Sequence, residues 1–413
     1  MNSRERVLTA LEHKEPDRIP VGFGSHHSDG IMAVAYAKLK DYLEITSGDI
    51  YVYDVPQQLA IVERPVLDRF NVDIVELGRG FALDDSYWAD WVLPDGTPCK
   101  IPAHIRAIMK EENGNWYICS SDGIPIAVQR KSMLYFDQIH WPLMNRNDRT
   151  FDNLESKFNE IIWFQASSPP APIGYDTEGL CKLKQGAKNL RESTDCAIIG
   201  VFGGSLNEAG HYFFRIDNFM MMMAANPRRV HKFLDKLMEI YLINLEKYLS
   251  ATGDYIDIIL FGGDDLGMQT GPMMSKAMYD EFFKARHKQL FTRAKELANI
   301  KVMLHSCGSI YKLLPSLIEA GVDILNPVQI SAADMDTIVL KREFGKDITF
   351  AGGGCDTQHV LPDASPQEVA RHTHKQCKIL SRGGNFIFEQ VHNIMANVPP
   401  ENIIAMFDAV NDR

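Results

Sequence analysis

Val302-Met303-Leu304-His305-Ser306-Cys307-Gly308 reads as a buried strand that ends in a His-x-Cys pair. Side chains alternate faces along a strand, so His305 and Cys307 aim an imidazole and a thiolate at one point. Both are ligand types that zinc favours. Working outward, the same pattern of an apolar run closing on glycine or polar residues recurs at residues 19–24, 72–78, 197–203, 256–262, 301–307, 322–328, 348–353 and 385–392. Continuous apolar runs suit a parallel sheet buried on both faces. Helical patterns between most of them imply right-handed βαβ units. Eight such runs predict a (β/α)8 TIM barrel, an α/β fold, built from residues 1–413 as one domain.

Between the second and third runs the pattern changes. Asp95-Gly96, Asn113-Gly114 and Asp122-Gly123 are turn dipeptides that separate short segments such as Trp116-Tyr117-Ile118. That is a hairpin signature, and it predicts a small antiparallel β insertion over residues 82–143. At the N-terminus, Asn2 or Ser3 caps a helix whose apolar face carries Val7, Leu8 and Leu11.

The net charge of −11 is spread along the chain, which argues against a nucleic-acid partner. The seven cysteines are scattered without a disulfide framework, so a reducing cytoplasm is expected. The N-terminus lacks the apolar core of a signal peptide, and no apolar run is long enough to span a membrane.

Barrel enzymes place their chemistry at the C-terminal ends of the strands. There the chain offers His26 and His27, Glu208, Asp264 and Asp265, His305 and Cys307, Asn326 and Gln329, Cys355, and Glu389, His392 and Asn393. A catalytic zinc keeps three protein ligands and one open position. His305 and Cys307 are the first two, and Cys355 or His392 the third. Glu208 and Glu389 are outside candidates for that place. Asp264, Glu208 and Glu389 are the expected acids. His26, His27, Asp265, Asn326, Gln329 and Asn393 are the expected substrate contacts.

Four segments together resemble the uroporphyrinogen decarboxylase superfamily: RERVLTALEHKEPDRIPV (4–21), GGDDLGMQTGPMMS (262–275), HSCG (305–308) and GGGCDTQHVLP (352–362). The resemblance runs nearly the whole length, with the hairpin insertion as the least typical part. One branch of that superfamily decarboxylates porphyrinogens without metal. It carries an arginine-rich N-terminal segment similar to W-x-M-R-Q-A-G-R, which clamps substrate carboxylates. The matching residues here, Val21-Gly22-Phe23-Gly24-Ser25-His26-His27-Ser28, hold no arginine. The other branch contains zinc methyltransferases that work with corrinoid proteins, and His305-x-Cys307 resembles it. Its thiol-methylating members place a third, cysteine ligand on the last strand, where this chain has Glu389-Gln390-Val391-His392. A site with fewer thiolates is the harder Lewis acid, which favours an ether-type methyl donor over a thiol acceptor.

The resemblance therefore implies a zinc methyltransferase that moves a methyl group from a small-molecule donor, such as a methoxylated aromatic, to the cobalamin (corrinoid) of a partner protein. The chain shows no corrinoid-binding domain of its own. Transfer from methyl-corrinoid to a thiol or tetrahydrofolate is the alternative direction. A metal-free decarboxylase, with His26, His27 or His392 as the acid, is the alternative chemistry, and a structural zinc or buried spectators the non-enzymatic one. The barrel bottom or the insertion is compatible with a homodimer.

Overall fold

The computed structural model describes residues 1–81, 84–145, 150–165 and 174–411. Seven of the eight apolar runs form strands of one parallel sheet: β1 (Ile74–Glu76), β2 (Ala197–Val201), β3 (Ile258–Phe261), β4 (Lys301–His305), β5 (Ile324–Asn326), β6 (Thr349–Ala351) and β7 (Phe386–Ile387). Each pairs with the next in chain order, which is the α/β arrangement of a TIM-barrel-like fold.

The first run departs from the expected eighth strand. Val21 makes only an isolated parallel bridge to Phe388. Its neighbours bond β7's extension through Phe388 N to Pro20 O and Gly22 N to Phe388 O, each 2.8 Å. On the other side Asp73 N donates to Val21 O at 2.8 Å. The Val21 N–H, however, goes to the Asp73 side chain at 2.9 Å instead of a ladder carbonyl. The run thus touches both edges of the curled sheet, but a side chain has taken the place of the ladder.

Strand alternation sorts the core into two layers. Ile74, Ala197, Ile199, Val201, Ile258, Leu260, Met303, Ile324, Ala351 and Ile387 pack together inside the curl, with Val7 and Leu11. The intervening residues, such as Ile198, Ile259, Val302, Leu304, Leu325 and Phe350, pack against the helices. Val7 and Leu11 belong to helix α1 (Ser3–Leu11), which starts at an Asn2 capping box and bonds the segment leading into β2 through Arg4 N to Asp195 O. α1 therefore plugs the end where the strands begin, and the opposite end is left for chemistry.

Two antiparallel sheets lie between β1 and β2 in the chain, one of Trp88–Val92 with Pro98–Pro102 and one of four strands spanning Met109 to Gln138. Residues 82 and 83, where the expected insertion begins, lie outside the described residues. This region packs over the strand ends. Gln138 Nε2 donates to Tyr212 O at 2.9 Å and Leu143 N to Phe213 O at 3.0 Å, both on helix α2 (Asn207–Phe214). Phe136 N bonds Pro56 O beyond the first run. No described helix is long and apolar enough to cross a membrane, and no disulfide joins any of the seven cysteines.

Candidate metal centre

The inward-facing rows of the strands continue past the apolar core as polar residues. Met303 is followed two positions on by His305, Ile324 by Asn326 and Ile387 by Glu389. Ligand atoms of His305, Cys307 and His392 come within 4.8 Å of one another. Cys307 Sγ lies 3.5 Å from His305 Nε2, and the two imidazole centroids are 5.6 Å apart.

Electrostatics favours a cation at this point. Burial, with Asp265 and Glu208 nearby, pushes the Cys307 thiol well above its ordinary range. A thiolate forms there only if a positive charge compensates. Burial and the neighbouring His305 and His26 lower His392 to about 3, and burial lowers His305, so both imidazoles keep free lone pairs. His305 Nδ1 sits 2.7 Å from Asn326 Oδ1, which leaves Nε2 directed at the cluster. Two imidazole nitrogens and one sulfur suit zinc, so the residues fit that metal.

The remaining expected site residues divide into those that face this point and those that hold it. Glu208, on the first turn of α2, accepts a hydrogen bond from Tyr212 Oη at 2.8 Å. Burial, together with Asp265 and Asp264, raises its carboxyl well above the usual range despite Tyr212. His27 lies against Gly262, where an added methyl would come within 3.3 Å of its ring, and burial lowers it to about 3. Asp265 accepts the Cys307 N–H at 2.6 Å and lies 3.6 Å from His305 Nε2.

The structure places seven other expected site residues outside this cluster. Cys355 is fully buried in the layer between sheet and helices, and Thr373 and Cys377 act on its thiol, which burial pushes up to about 12; it does not join the cluster. Its glycine-rich turn carries the side chain away from the strand's inward row. Asp264 is not a free acid: Oδ1 accepts the N–H groups of Leu206, Asn207 and Glu208, and Oδ2 binds His287 Nε2 at 2.7 Å. Glu389 and Asn326 are both fully buried, and Asn326 Nδ2 donates to Glu389 at 2.6 Å. Gln329 accepts the Gly308 N–H at 2.7 Å and steadies the His-Ser-Cys-Gly turn. Asn393 ties Gly30 N to His27 O. His26 is fully buried, with its Nε2 3.6 Å from Glu389 Oε1.

A model of the uroporphyrinogen decarboxylase (URO-D) family matches residues 173–413. The chain belongs to the URO-D family. A methylated-thiol–coenzyme M methyltransferase of Methanosarcina mazei is 26% identical over 218 residues, 52% of this chain and 53% of that protein. The chain thus spans about half the length of the curated relative it matches. A solved methyltransferase structure from Methanosarcina mazei superposes with a TM-score of 0.59 at 14% identity, covering 100% of this chain and 99% of the other, which shows a shared fold.

Within this URO-D family member, sequence reading missed several residues around the centre. Tyr212 lies one helical turn from Glu208, a spacing that signals contact on a helix face. Trp163 stacks on Tyr212 with centroids 6.0 Å apart, and Phe164 packs edge-on against Tyr212. His287 and Asp29 meet Asp264 and His26 through tertiary contacts or a tight loop, for which local sequence holds no signal.

Proposed function

We propose that this chain is a methyltransferase of a corrinoid system, with zinc held by His305, Cys307 and His392. The observation that carries this reading is the convergence of those three ligand atoms within 4.8 Å beside the raised carboxyl of Glu208. Zinc supplies Lewis acidity toward the heteroatom of a bound substrate. The chain's own groups do the rest. Glu208, whose carboxyl burial and Asp265 raise well above the usual range, donates its proton to the oxygen released when an O–CH3 bond breaks. The methyl group passes to a partner corrinoid protein. Tyr212 orients the Glu208 carboxyl, while Trp163 and Phe164 offer an apolar, aromatic wall suited to a methoxylated aromatic donor. Asp265 and Gln329 hold the His-Ser-Cys-Gly turn from its two amides.

In this reading residues 1–413 form one barrel domain, with 82–143 as an insertion that narrows the mouth. The enzyme works in the cytoplasm, where its seven cysteines, none in a disulfide, stay reduced. A second reading, transfer involving a methylated thiol, is favoured by the name of the Methanosarcina mazei relative.

The test is elemental analysis of the wild type beside alanine variants at His305, Cys307, His392 and Cys355. About one zinc per chain is expected, lost at the first three positions and retained in Cys355→Ala. Methyl transfer to free reduced cobalamin, assayed with methoxyarenes and methylated thiols in parallel, then separates the two donor classes. Zinc-free protein, or zinc indifferent to all four substitutions, refutes the proposal.

A further inference from the structure

Glu389 is fully buried, and it is tied to the candidate metal centre through one residue. Asn326 bridges the two: its Nδ2 donates to Glu389 Oε2 at 2.6 Å, and its Oδ1 lies 2.7 Å from His305 Nδ1. All three residues are nearly or fully buried. Asn326 is on β5 and Glu389 follows β7. The intervening strand β6 offers only Ala351 and Gly352–Gly354 at this level, so the amide reaches across it.

The chemistry of the three groups is directional. The Asn326 NH2 donates to Glu389 Oε2, so its carbonyl oxygen is the atom left for His305. The amide oxygen then faces His305, and His305 Nδ1 must carry the proton. Nε2, 3.5 Å from Cys307 Sγ, is left with its lone pair bare. With the amide reversed, His305 Nδ1 would accept from NH2, and the proton would sit on Nε2, where a metal has to bind.

Glu389 also belongs to a second group with His26 and Asp29, whose ligand atoms lie within 4.8 Å of one another. That group does not suit a cation. Ser28 N donates to His26 Nδ1 at 3.2 Å, which puts the ring proton on Nε2. Asp29 already receives the amides of Ser25 and His26 and the Ser25 hydroxyl. His26 Nε2 instead faces Glu389 Oε1 at 3.6 Å, and neither atom has a hydrogen-bond partner. Burial raises the Glu389 carboxyl above its usual range, while the His26 and Asn326 N–H groups directed at it oppose that shift. Gly22 leaves the space for this: a methyl there would come within 2.8 Å of Glu389 Oε1.

We infer that Glu389, acting through Asn326, is a positioning residue that fixes His305 in its Nδ1–H tautomer and so presents a bare Nε2 for metal binding. The tautomer follows from this geometry alone; its use rests on the proposed zinc site.

The experiment is 15N NMR of histidine-labelled, metal-free full-length chain at neutral pH, with His305 assigned by its loss in His305→Ala. Zinc affinity is measured separately by competition with a chelator. In the wild type His305 is expected to be protonated at Nδ1. Glu389→Gln can present either its oxygen or its NH2 to Asn326, so a second population protonated at Nε2 is expected, and zinc affinity falls about 10- to 100-fold. Asn326→Leu, close in size, is expected to weaken zinc at least as much. A wild-type His305 protonated at Nε2 overturns the inference, whatever the variants do. So does a Glu389→Gln protein that keeps the Nδ1–H form and binds zinc within twofold of wild type. A wild type that shows the Nδ1–H form but binds no zinc counts against the proposed function and leaves the tautomer lock standing.

Discussion

Replacing Asp264 separates a structural acid from a catalytic one. The carboxylate gathers the amides of Leu206, Asn207 and Glu208 at 3.2, 2.6 and 3.1 Å, and His287 Nε2 at 2.7 Å. It therefore terminates the eight-residue helix α2 that carries Glu208. Asp264→Ala removes every one of these acceptors from a buried site. Hydrogen bonds to a charged group contribute roughly 1.5–3 kcal/mol each, and an orphaned buried donor costs about 1–3 kcal/mol. Counting only the two shortest contacts gives a loss of about 3–6 kcal/mol, a large part of the roughly 5–15 kcal/mol that holds a typical domain folded. Asp264→Asn keeps an oxygen for the three amides and turns its NH2 toward His287, whose Nε2 accepts it in the other tautomer. Its expected loss is about 1 kcal/mol, with methyl transfer reduced no more than a few-fold. The assay is urea unfolding of the three proteins with an unchanged m-value, followed by turnover of the asparagine variant. Two results refute the reasoning. One is an alanine variant within about 1 kcal/mol of wild type. The other is an asparagine variant of wild-type stability that has lost transfer by about 100-fold or more, as removal of a true general acid would produce.

Two further outcomes are expected. Because the Glu208 carboxyl is raised by burial and by Asp265 and Asp264, its acid form persists to higher pH than that of an ordinary carboxyl, and transfer should fall as pH rises through its pKa. Glu208→Gln should lose that alkaline limb along with about 10²- to 10⁴-fold in rate, and an unchanged pH profile in this variant argues against the role. Asp54 is buried and raised from 3.8 to about 6 by burial, against hydrogen bonds from Gln57. The folded state then binds more protons than the unfolded one between those values, so stability falls as pH rises through that window. A difference of this size is worth about 3 kcal/mol above pH 6. Asp54→Asn sacrifices part of the Gln57 bonding, so a gain of about 1–2 kcal/mol at pH 8 and none near pH 4 is expected; an equal effect at both pH values contradicts the assignment.

How much of this was legible in the chain follows from the range of the forces involved. Period-two alternation is a local property, so His305 and Cys307 were readable as a pair, and every barrel strand fell inside an apolar run. Family motifs spread over the chain carried the superfamily. Capping is also local, and the Asn2 cap of α1 followed from it. Loops broke this logic. Cys355 and His392 are equally plausible ligands in sequence, but the turn after β6 sends Cys355 toward the helices, whereas His392 returns to the centre. Asp264, Glu389, Asn326, Gln329 and Asn393 were recognisable as polar residues at strand ends, and position alone could not separate a group that meets substrate from one that holds another residue.

The sequence by itself thus determined the parallel α/β sheet, the superfamily and the first two members of the metal cluster, because strand periodicity and motif spacing are written in adjacent residues. Only the tertiary structure placed His392 beside them, the Glu208 carboxyl against Tyr212, and the Glu389–Asn326–His305 chain. The last depends on which buried donor finds which acceptor across more than twenty residues of chain. In a low-dielectric interior each such partner must be satisfied by geometry that no local pattern encodes.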